Sequence, residues 1–357
     1  MAHDIAGYIG RFLANHIHNN NLASILRIVD KQLPQLAQLA PEQEAACSEP
    51  NFLQADASRP QSLNRIFDLP DNRNFDYVFN CGGETRFSQD DEVYKARSYN
   101  LSLNVANEAA RRRVKCFVEL STGQVYEPKR DPRKETDKLK PGLKQAKWKL
   151  RAEEELSRIL GLNLVVLRLA HVYGPYAGRW LGTQLALARV YQDLEKEMKY
   201  LWSSELRTAT VHVSDVVRAC WAVAEWKGAQ SKMDNTEPQT PLSPTASKGP
   251  WSATSVFNIV DPGNTSQRIM SDIIHELFNI ETGFQNTLVN TFARLNLEHV
   301  VDDLNDETLD TWAELQQKAG MERGGSNPLS PFMEKELLKD SDLSLDGSRF
   351  ERTLGFR

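Results

Sequence analysis

The chain has 357 residues, 40% of them hydrophobic, which is enough to build one large domain with an appended lobe or two ordinary domains. Its formal net charge is −5, with acidic and basic residues mixed throughout, so no basic stripe predicts nucleic-acid binding. The four cysteines lack zinc-ligand or disulfide-framework spacing, and we expect no metal. No apolar run predicts a membrane span and no leader pattern is evident, so we expect a cytoplasmic location.

The first half of the chain alternates helical and strand patterns. The apolar spacing of residues 7–19 predicts a helix, and the apolar run that follows predicts a buried strand ending at Asp30. Similar patterns predict strands at residues 51–54, 77–79, 116–120 and 162–169, and helices at residues 98–113 and 144–160. Strands that alternate with amphipathic helices predict an α/β fold, with a doubly wound, mostly parallel sheet covered on both faces.

The second half changes in composition. A strand at residues 208–213 leads into a helix at 215–226, after which residues 228–250 are rich in Pro, Ser, Thr and Lys and predict a disordered surface insertion. Residues 255–260 form a further strand pattern, and the rest is mainly helical. We predict three parts: a core of residues 1–175 and 206–227, an insertion of residues 228–250, and a smaller, mostly helical lobe of residues 176–205 and 251–357.

Two glycines stand at the start of the first predicted helix. In Gly7-Tyr8-Ile9-Gly10 they match the second and third glycines of a Rossmann phosphate turn, where a Cβ would obstruct the approach of a pyrophosphate. Asp30 ends the next strand, where the fingerprint places a carboxylate that binds the adenosine ribose and repels a 2′-phosphate. The pattern predicts that these residues bind NAD, with NADP less favoured. The alternatives are a tight helix start for the glycines and a strand-capping acid for Asp30.

A Rossmann fold has a buried strand directly before these glycines. The six residues that precede Gly7 are short and polar for a central strand, so we expect the first strand of the sheet to be missing from this chain. We interpret this as a truncated start or an alternative gene model. Upstream codons for a Val/Ile-rich strand would support that interpretation.

Further segments, in chain order, resemble those of the extended short-chain dehydrogenase/reductases, the NAD-dependent epimerase/dehydratase family. Residues 52–56 are similar to the third strand and its acid, residues 76–83 to the fourth strand and its small-residue turn, and residues 116–126 to the fifth strand. The resemblance implies a Rossmann core followed by a substrate-binding lobe. It also implies that Asp56, Cys81 and Gly82 contact the cofactor.

The later motifs extend the resemblance to nearly the whole chain. Residues 168–175 are similar to the family's Arg-x-x-Asn-Val-Tyr-Gly-Pro stretch, residues 211–216 to its His-Val-x-Asp-Val motif, and residues 343–356 to its last helix. The family's common helix-pair homodimer is therefore a further expectation.

The family's catalytic positions are only partly filled. In the family a tyrosine is the general acid or base, a lysine four residues later lowers its pKa and holds the ribose, and a Ser or Thr orients the substrate oxygen. The resemblance assigns the last two roles to Thr122 and Lys149, while Gln145 stands at the tyrosine position. A glutamine has no proton to transfer, so ordinary family chemistry is in question. The alternatives are a strand-capping hydroxyl for Thr122 and a solvated helix face for Lys149.

Substrate contacts are implied by the same resemblance. They fall on Glu84, Thr85 and Arg86 after the fourth strand and on His171, where an Asn often stands. Arg207 lies one residue from the place of the diphosphate arginine of nucleotide-sugar enzymes.

Three functional hypotheses follow from these motifs. The first is an NAD(P)-binding oxidoreductase, epimerase or dehydratase that transfers hydride to or from a small-molecule substrate: a sugar nucleotide, a sterol-like molecule or another alcohol or carbonyl. The second is a non-catalytic NAD-binding sensor or assembly protein. The third is a chain that, without its first strand, binds no cofactor.

Overall fold

The computed structural model describes residues 2–3, 7–234, 255–321 and 328–355. Its strands are β1 Ala2–His3, β2 Ile28–Asp30, β3 Phe52–Gln54, β4 Tyr77–Asn80, β5 Cys116–Thr122, β6 Leu164–Leu169, β7 His171–Tyr173, β8 Met198–Tyr200, β9 Thr210–His212, β10 Ser255–Ile259 and β11 Thr282–Phe284. Its α-helices are α1 Tyr8–Asn19, α2 Pro41–Cys47, α3 Leu63–Phe67, α4 Asp91–Tyr94, α5 Leu101–Arg111, α6 Lys144–Leu156, α7 Leu181–Asp193, α8 Val213–Asp234, α9 Gln267–Phe278, α10 Thr287–Leu295, α11 Leu297–Lys318 and α12 Ser348–Leu354. A π-helical segment, Lys95–Asn100, precedes α5.

Seven parallel strands form the main sheet, in the order β10-β6-β5-β4-β1-β2-β3. The α/β, Rossmann-type fold predicted from the sequence is confirmed. The strand order reverses between β1 and β4, and in open α/β sheets ligands bind at the carboxyl ends of the strands beside such a reversal. The fold therefore points to the loops after β1, β2, β4 and β5.

Both faces of this sheet are covered by helices. Leu13 of α1 and Val216 of α8 belong to the buried cluster on one face. Val105 of α5 and Leu156 of α6 belong to the cluster on the other face. Double coverage explains why the strands have nearly continuous apolar runs in the sequence rather than an alternating pattern.

The central position of the sheet is occupied by β1. Ala2–His3 pairs in parallel with Ile28–Val29 on one side and with Phe79–Asn80 on the other. The expectation that the first strand would be missing is therefore wrong. Strand pairing uses main-chain groups, so two residues suffice to bridge the neighbouring strands despite their polar sequence.

The predicted boundaries of the later parts also need correction. Helix α8 continues through Asp234, so the insertion predicted at residues 228–250 begins with helical residues, because no proline interrupts the helix there; its residues from 235 on lie outside the described chain. Strand β10, assigned to the lobe from the sequence, pairs with β6 in the main sheet along its whole length.

The smaller lobe is built from α7, α9, α10 and α11 with a two-stranded sheet of β8 and β11. Leu187, Met198, Ile274 and Met333 form its buried core. The segment 328–345 then returns to the main sheet, where Leu343 and Leu345 join the buried cluster beside α8. This returning segment covers the carboxyl edge of the sheet.

Candidate active site

A cavity of about 290 Å³, here called the central cavity, lies between the carboxyl ends of β4 and β5 and the lobe. It gathers the catalytic positions and several of the residues that the sequence assigned to cofactor and substrate. Those lining it are Ile9, Cys81, Gly82, Thr85, Thr122, Gln145, Lys149 and His171. The ordered motifs of the sequence therefore converge on one place.

The cofactor edge of the site begins with α1. Gly7 is the N-cap residue of this twelve-residue helix and Gly10 is buried within it. The first turn has no side-chain cap and no acidic residue. Its N–H groups and the positive end of the helix dipole are therefore suited to a pyrophosphate.

The two predicted adenosine-binding acids lie at the neighbouring strand ends. Asp30 is 6% exposed, and its Oδ1 accepts a hydrogen bond from the Gln32 N–H at 2.9 Å. The Ala55 N–H donates to the Asp30 main-chain oxygen, which places Asp56 beside β2. Asp56 accepts hydrogen bonds from both the N–H and the hydroxyl of Ser58, so it also shapes its own turn.

Lys149 lies at the centre of the site on α6. Its Nζ donates to the Leu120 oxygen at 2.8 Å and to the Gly82 oxygen at 3.3 Å, and lies 3.4 Å from Glu119 Oε1. Gly83 has a φ of +153°, a backbone conformation that favours glycine, and a Cβ there would lie 3.2 Å from this Nζ, closer than an ordinary contact. An ammonium group has three protons, and these three acceptors are sufficient to engage them. Contact with a cofactor ribose would therefore require one of these bonds to exchange.

The partner of Lys149 is a buried carboxylate that no motif in the sequence indicates. Glu119 is fully buried on β5 and accepts hydrogen bonds from Asn80 Nδ2 at 2.6 Å and Ser102 Oγ at 2.9 Å. Burial raises the pKa of Glu119, and Lys149, Asn80 and Ser102 partly oppose this shift. The one sequence feature that marks Glu119 is its charge within an otherwise uncharged strand.

Thr122 and Gln145 face the same cavity with different local roles. Thr122 Oγ1 accepts a hydrogen bond from the Gln124 N–H at 3.2 Å, so it also caps the turn after β5. Gln145 Nε2 donates to the Glu84 main-chain oxygen at 3.1 Å. The side chain at the tyrosine position is thus attached to the turn after β4.

Tyr126 is not suited to replace the missing tyrosine. Its hydroxyl donates to Asn258 Oδ1 at 2.8 Å and accepts from Arg168 Nη1 at 2.9 Å, and the residue is buried. Burial raises the pKa of Tyr126 to about 12, which Arg168 only partly opposes. Tyr126 therefore packs and hydrogen-bonds within the core.

Glu84 belongs to an ion cluster beside the cavity. Its carboxylate lies 2.8 Å from Arg86 Nη2 and 2.9 Å from Arg97 Nη1, and it is 6% exposed. Burial alone would raise the pKa of Glu84, but the hydrogen bonds and charges of the two arginines outweigh it and lower the pKa to about 2. Thr85 lines the central cavity, whereas Glu84 and Arg86 do not.

A family profile described as NAD dependent epimerase/dehydratase matches residues 5–235, more than half of the chain. The chain belongs to the NAD-dependent epimerase/dehydratase family. The ordered motifs around the central cavity, from Gly7 to residue 216, lie within the matched region.

Solved structures share the fold of this epimerase-family chain at low identity. MoeE5 in complex with UDP-glucuronic acid and NAD is 15% identical, with 99% of this chain and 92% of that chain covered and a TM-score of 0.63. The UDP-glucose 4-epimerase of Thermotoga maritima with UDP-glucose is 21% identical, with 80% and 84% covered and a TM-score of 0.58. A mutant UDP-glucuronic acid 4-epimerase of Bacillus cereus with a fluorinated substrate analogue and NAD is 13% identical, with 100% and 92% covered and a TM-score of 0.64. A search of curated proteins finds no match.

Next to the central cavity of this family member lies a smaller one of about 100 Å³, here called the polar cavity. Both are lined by Gln124, His171, Trp180, Leu337 and Leu343. The His171 and Trp180 rings are stacked with centroids 4.6 Å apart. Burial lowers the pKa of His171 to about 4, so the imidazole is neutral near neutral pH.

Four buried side-chain groups around the polar cavity have no hydrogen-bond partner among the described residues. They are Arg133 Nη2, Arg207 Nε, Thr208 Oγ1 and Ser344 Oγ. All four atoms can donate a hydrogen bond. Arg207 Nη1 donates to the Asn264 oxygen at 3.1 Å, which holds this side chain at the wall of the polar cavity. Arg207 does not line the central cavity.

A third cavity of about 330 Å³, the apolar cavity, extends into the lobe. Trp180 and Leu337 line all three cavities, so they separate the three spaces. Trp180 and Glu334, another residue of the central cavity, were missed in the sequence. They come from segments without a recognisable motif and reach the site only through packing of the lobe.

The described residues were also compared with what a membrane-spanning helix and a metal site require. Within them, no helix combines the length and apolar character needed to cross a membrane. The described part of the chain also contains no group of three His, Cys, Asp or Glu side chains placed to hold a metal ion.

Proposed function

We propose that this chain binds NAD across the carboxyl ends of β1, β2, β4 and β5. The N-terminus of α1 would hold the pyrophosphate, Asp30 the adenosine ribose, and Gly82 and Lys149 the nicotinamide side. The uncapped first turn of α1 and the position of Gly82 and Lys149 at the wall of the central cavity fit such a group. The carboxylate of Asp30 favours NAD over NADP.

We propose hydride-transfer chemistry of the epimerase/dehydratase type at the central cavity. Bound NAD would supply a hydride acceptor. Thr122 would hydrogen-bond the oxygen of the reacting alcohol or carbonyl, and the positive charge of Lys149 would favour negative charge developing nearby. The single observation that carries this proposal is the convergence of Thr122, Lys149 and Ile9 on one cavity.

For the substrate we propose a sugar nucleotide. The solved relatives are described with UDP-linked sugars and NAD. The polar cavity supports this class because four unpartnered buried donors beside it, two of them on arginines, are suited to oxyanions such as a diphosphate. Three acidic residues, Glu127, Glu336 and Asp342, also line it. It lies between the other two cavities, so a substrate could place its sugar in the central cavity and its base in the apolar cavity.

The substrate proposal is tested with UDP, UDP-glucose and UDP-glucuronic acid by calorimetry in the presence of NAD. We expect saturable binding, weakened at least ~10-fold in Arg207→Met, since a charge-assisted hydrogen bond is worth roughly 1.5–3 kcal/mol. Arg189→Met, on the half-exposed face of α7, is the control. Equal binding by both variants would remove Arg207 and the polar cavity from the substrate site.

A non-catalytic NAD-binding protein is the second candidate. The observation that favours it is the engagement of the Lys149 ammonium group by three protein acceptors, together with glutamine at position 145. NAD binding without product from any UDP-sugar would support it. A cytoplasmic location and a homodimer stay predictions from the sequence.

A further inference from the structure

Gln145 leaves open which group exchanges the substrate's hydroxyl proton. Thr122 and Gln145 have no readily ionised proton, so the source must be another side chain at the central cavity. Among the described residues, Glu334 is the one carboxylate that lines this cavity. It comes from the segment that returns from the lobe.

Glu334 lies beside the turn that Gln145 contacts. Glu334 and Phe87 of that turn line the central cavity together, and the Phe87 N–H helps to oppose the rise in the pKa of the Glu334 carboxyl group. Gln145 Nε2 donates to the oxygen of Glu84, three residues earlier on that turn. The side chains of Thr85 and Phe87 from this turn also line the cavity. The carboxylate therefore lies at the cavity beside the turn that Gln145, at the family's tyrosine position, contacts.

The surroundings of Glu334 suit a group that exchanges protons. It is half-buried, and burial raises its pKa. Arg179 and Arg86, from the segments packed against it, and the Phe87 N–H oppose that shift, while Glu336 on its own segment adds to it. A carboxyl group with a raised pKa is a better general acid than an ordinary one and remains a base near neutral pH.

Cys81, Lys149 and His171 also carry titratable groups at the cavity, and the last two are less suited. Lys149 is held by Leu120, Gly82 and Glu119. His171 is stacked on Trp180, and its pKa of about 4 leaves it unable to donate a proton near neutral pH.

We propose that Glu334 is the general acid and base of this site, in the place of the missing tyrosine. In the oxidation direction bound NAD would accept the substrate's C–H hydrogen with its electron pair, while the O–H proton moves to the Glu334 carboxylate and a C=O bond forms. In the reduction direction the carboxyl group returns that proton to the oxygen. This role rests on the proposed hydride-transfer function.

The test compares four proteins in single-turnover conversion of UDP-glucose and UDP-glucuronic acid with NAD, followed by chromatography of the sugar nucleotides. We expect Glu334→Gln to lower the rate at least ~10²-fold, as for loss of a general base. We expect Gln145→Tyr in the Glu334→Gln background to restore at least ~10-fold of it, because a tyrosine beside Lys149 supplies the proton. Glu314→Gln, on an exposed face of α11, is the control and should match the wild type.

The outcomes separate the two proposals. Turnover by the wild type that is unchanged in Glu334→Gln would overturn the role of Glu334 and leave the proposed function intact. A loss in Glu334→Gln that the tyrosine does not restore, but that His171→Gln reproduces, would also overturn it, in favour of a structural role. No turnover by the wild type, with NAD bound, would overturn both proposals.

A readout without the cofactor tests the same carboxyl group. ¹³C-carboxyl NMR of the glutamate-labelled protein is titrated with acid, and the Glu334 signal is assigned by its loss in Glu334→Gln. We expect its midpoint to lie above that of an ordinary glutamate and to fall in neither His171→Gln nor Glu314→Gln. A midpoint at or below the ordinary value would contradict the role.

Discussion

Helix α6 makes two buried ionic contacts with the main sheet, one to β6 and one to β5, and they differ in how fully their charged groups are hydrogen-bonded. Glu153 and Arg168 are 0% and 1% exposed, and their closest N···O distance is 2.6 Å. One helical turn earlier, Lys149 lies 3.4 Å from Glu119, with the lysine 11% exposed at the wall of the central cavity. The first contact is closed, whereas the second borders a space for ligands.

The two contacts differ in how completely their charged groups are hydrogen-bonded within the protein. Arg168 binds Glu153 through two nitrogens and Tyr126 through a third, and Glu153 also accepts from Ser121, so this network is fully engaged within the core. The Lys149 contacts with Gly82 and Glu119 are longer than usual strong hydrogen bonds. We infer that the first network fixes the fold, and that the second holds a charge that can exchange partners when a cofactor binds.

The largest effect is expected from breaking the closed pair. Arg168→Met should lower the free energy of unfolding by roughly 3–5 kcal/mol, because it leaves Glu153 buried without its cation. Urea denaturation measures this. Arg158→Met removes an exposed pair with Glu155 and should cost about 1 kcal/mol or less. Similar losses of unfolding free energy in the two variants would contradict the larger contribution expected from the buried pair.

Removing the lysine of the second pair should cost less stability. In Lys149→Met, Glu119 keeps its hydrogen bonds from Asn80 and Ser102. Because burial already raises the pKa of Glu119, its carboxyl group can take up a proton instead of remaining charged. We expect a loss of about 1–3 kcal/mol that grows as pH rises, since the folded state then binds more protons than the unfolded state. Urea midpoints between pH 5 and pH 8 test the sign; a loss that shrinks with rising pH would contradict it.

Glu84 should give the opposite pH dependence with a smaller effect. Its folded pKa of about 2 lies below its ordinary value of 4.5, so its stabilisation is present above that value and is lost as pH falls through the interval. Arg86 and Arg97 are about half exposed, so solvent screening reduces the effect to about 1–2 kcal/mol. In Glu84→Gln, the free energy of unfolding measured by urea denaturation should fall less as pH is lowered from 4.5 to about 2. The same fall in the variant and the wild type would show that the cluster does not stabilise the fold.

The sequence predicted the sheet side of the site better than the lobe side. Thr122, Gly82 and Lys149 lie in motifs whose spacing follows from strand ends and one helical turn, and the structure gathers all three at one cavity. Trp180 and Glu334 carry no such local pattern, because the fold brings them from distant segments. A two-residue strand has no periodicity to read, which is why β1 was missed.

Titration of NADH into the protein, followed by nicotinamide fluorescence, tests most directly the claim that Lys149 lies in a cofactor site. We expect saturable binding, at least ~10-fold weaker in Lys149→Met, since charged hydrogen bonds contribute roughly 1.5–3 kcal/mol. We expect no change in Lys147→Met, one half-turn away on the exposed face of α6. Absence of saturable binding, or equal affinity in all three proteins, would contradict a place for Lys149 in a cofactor site.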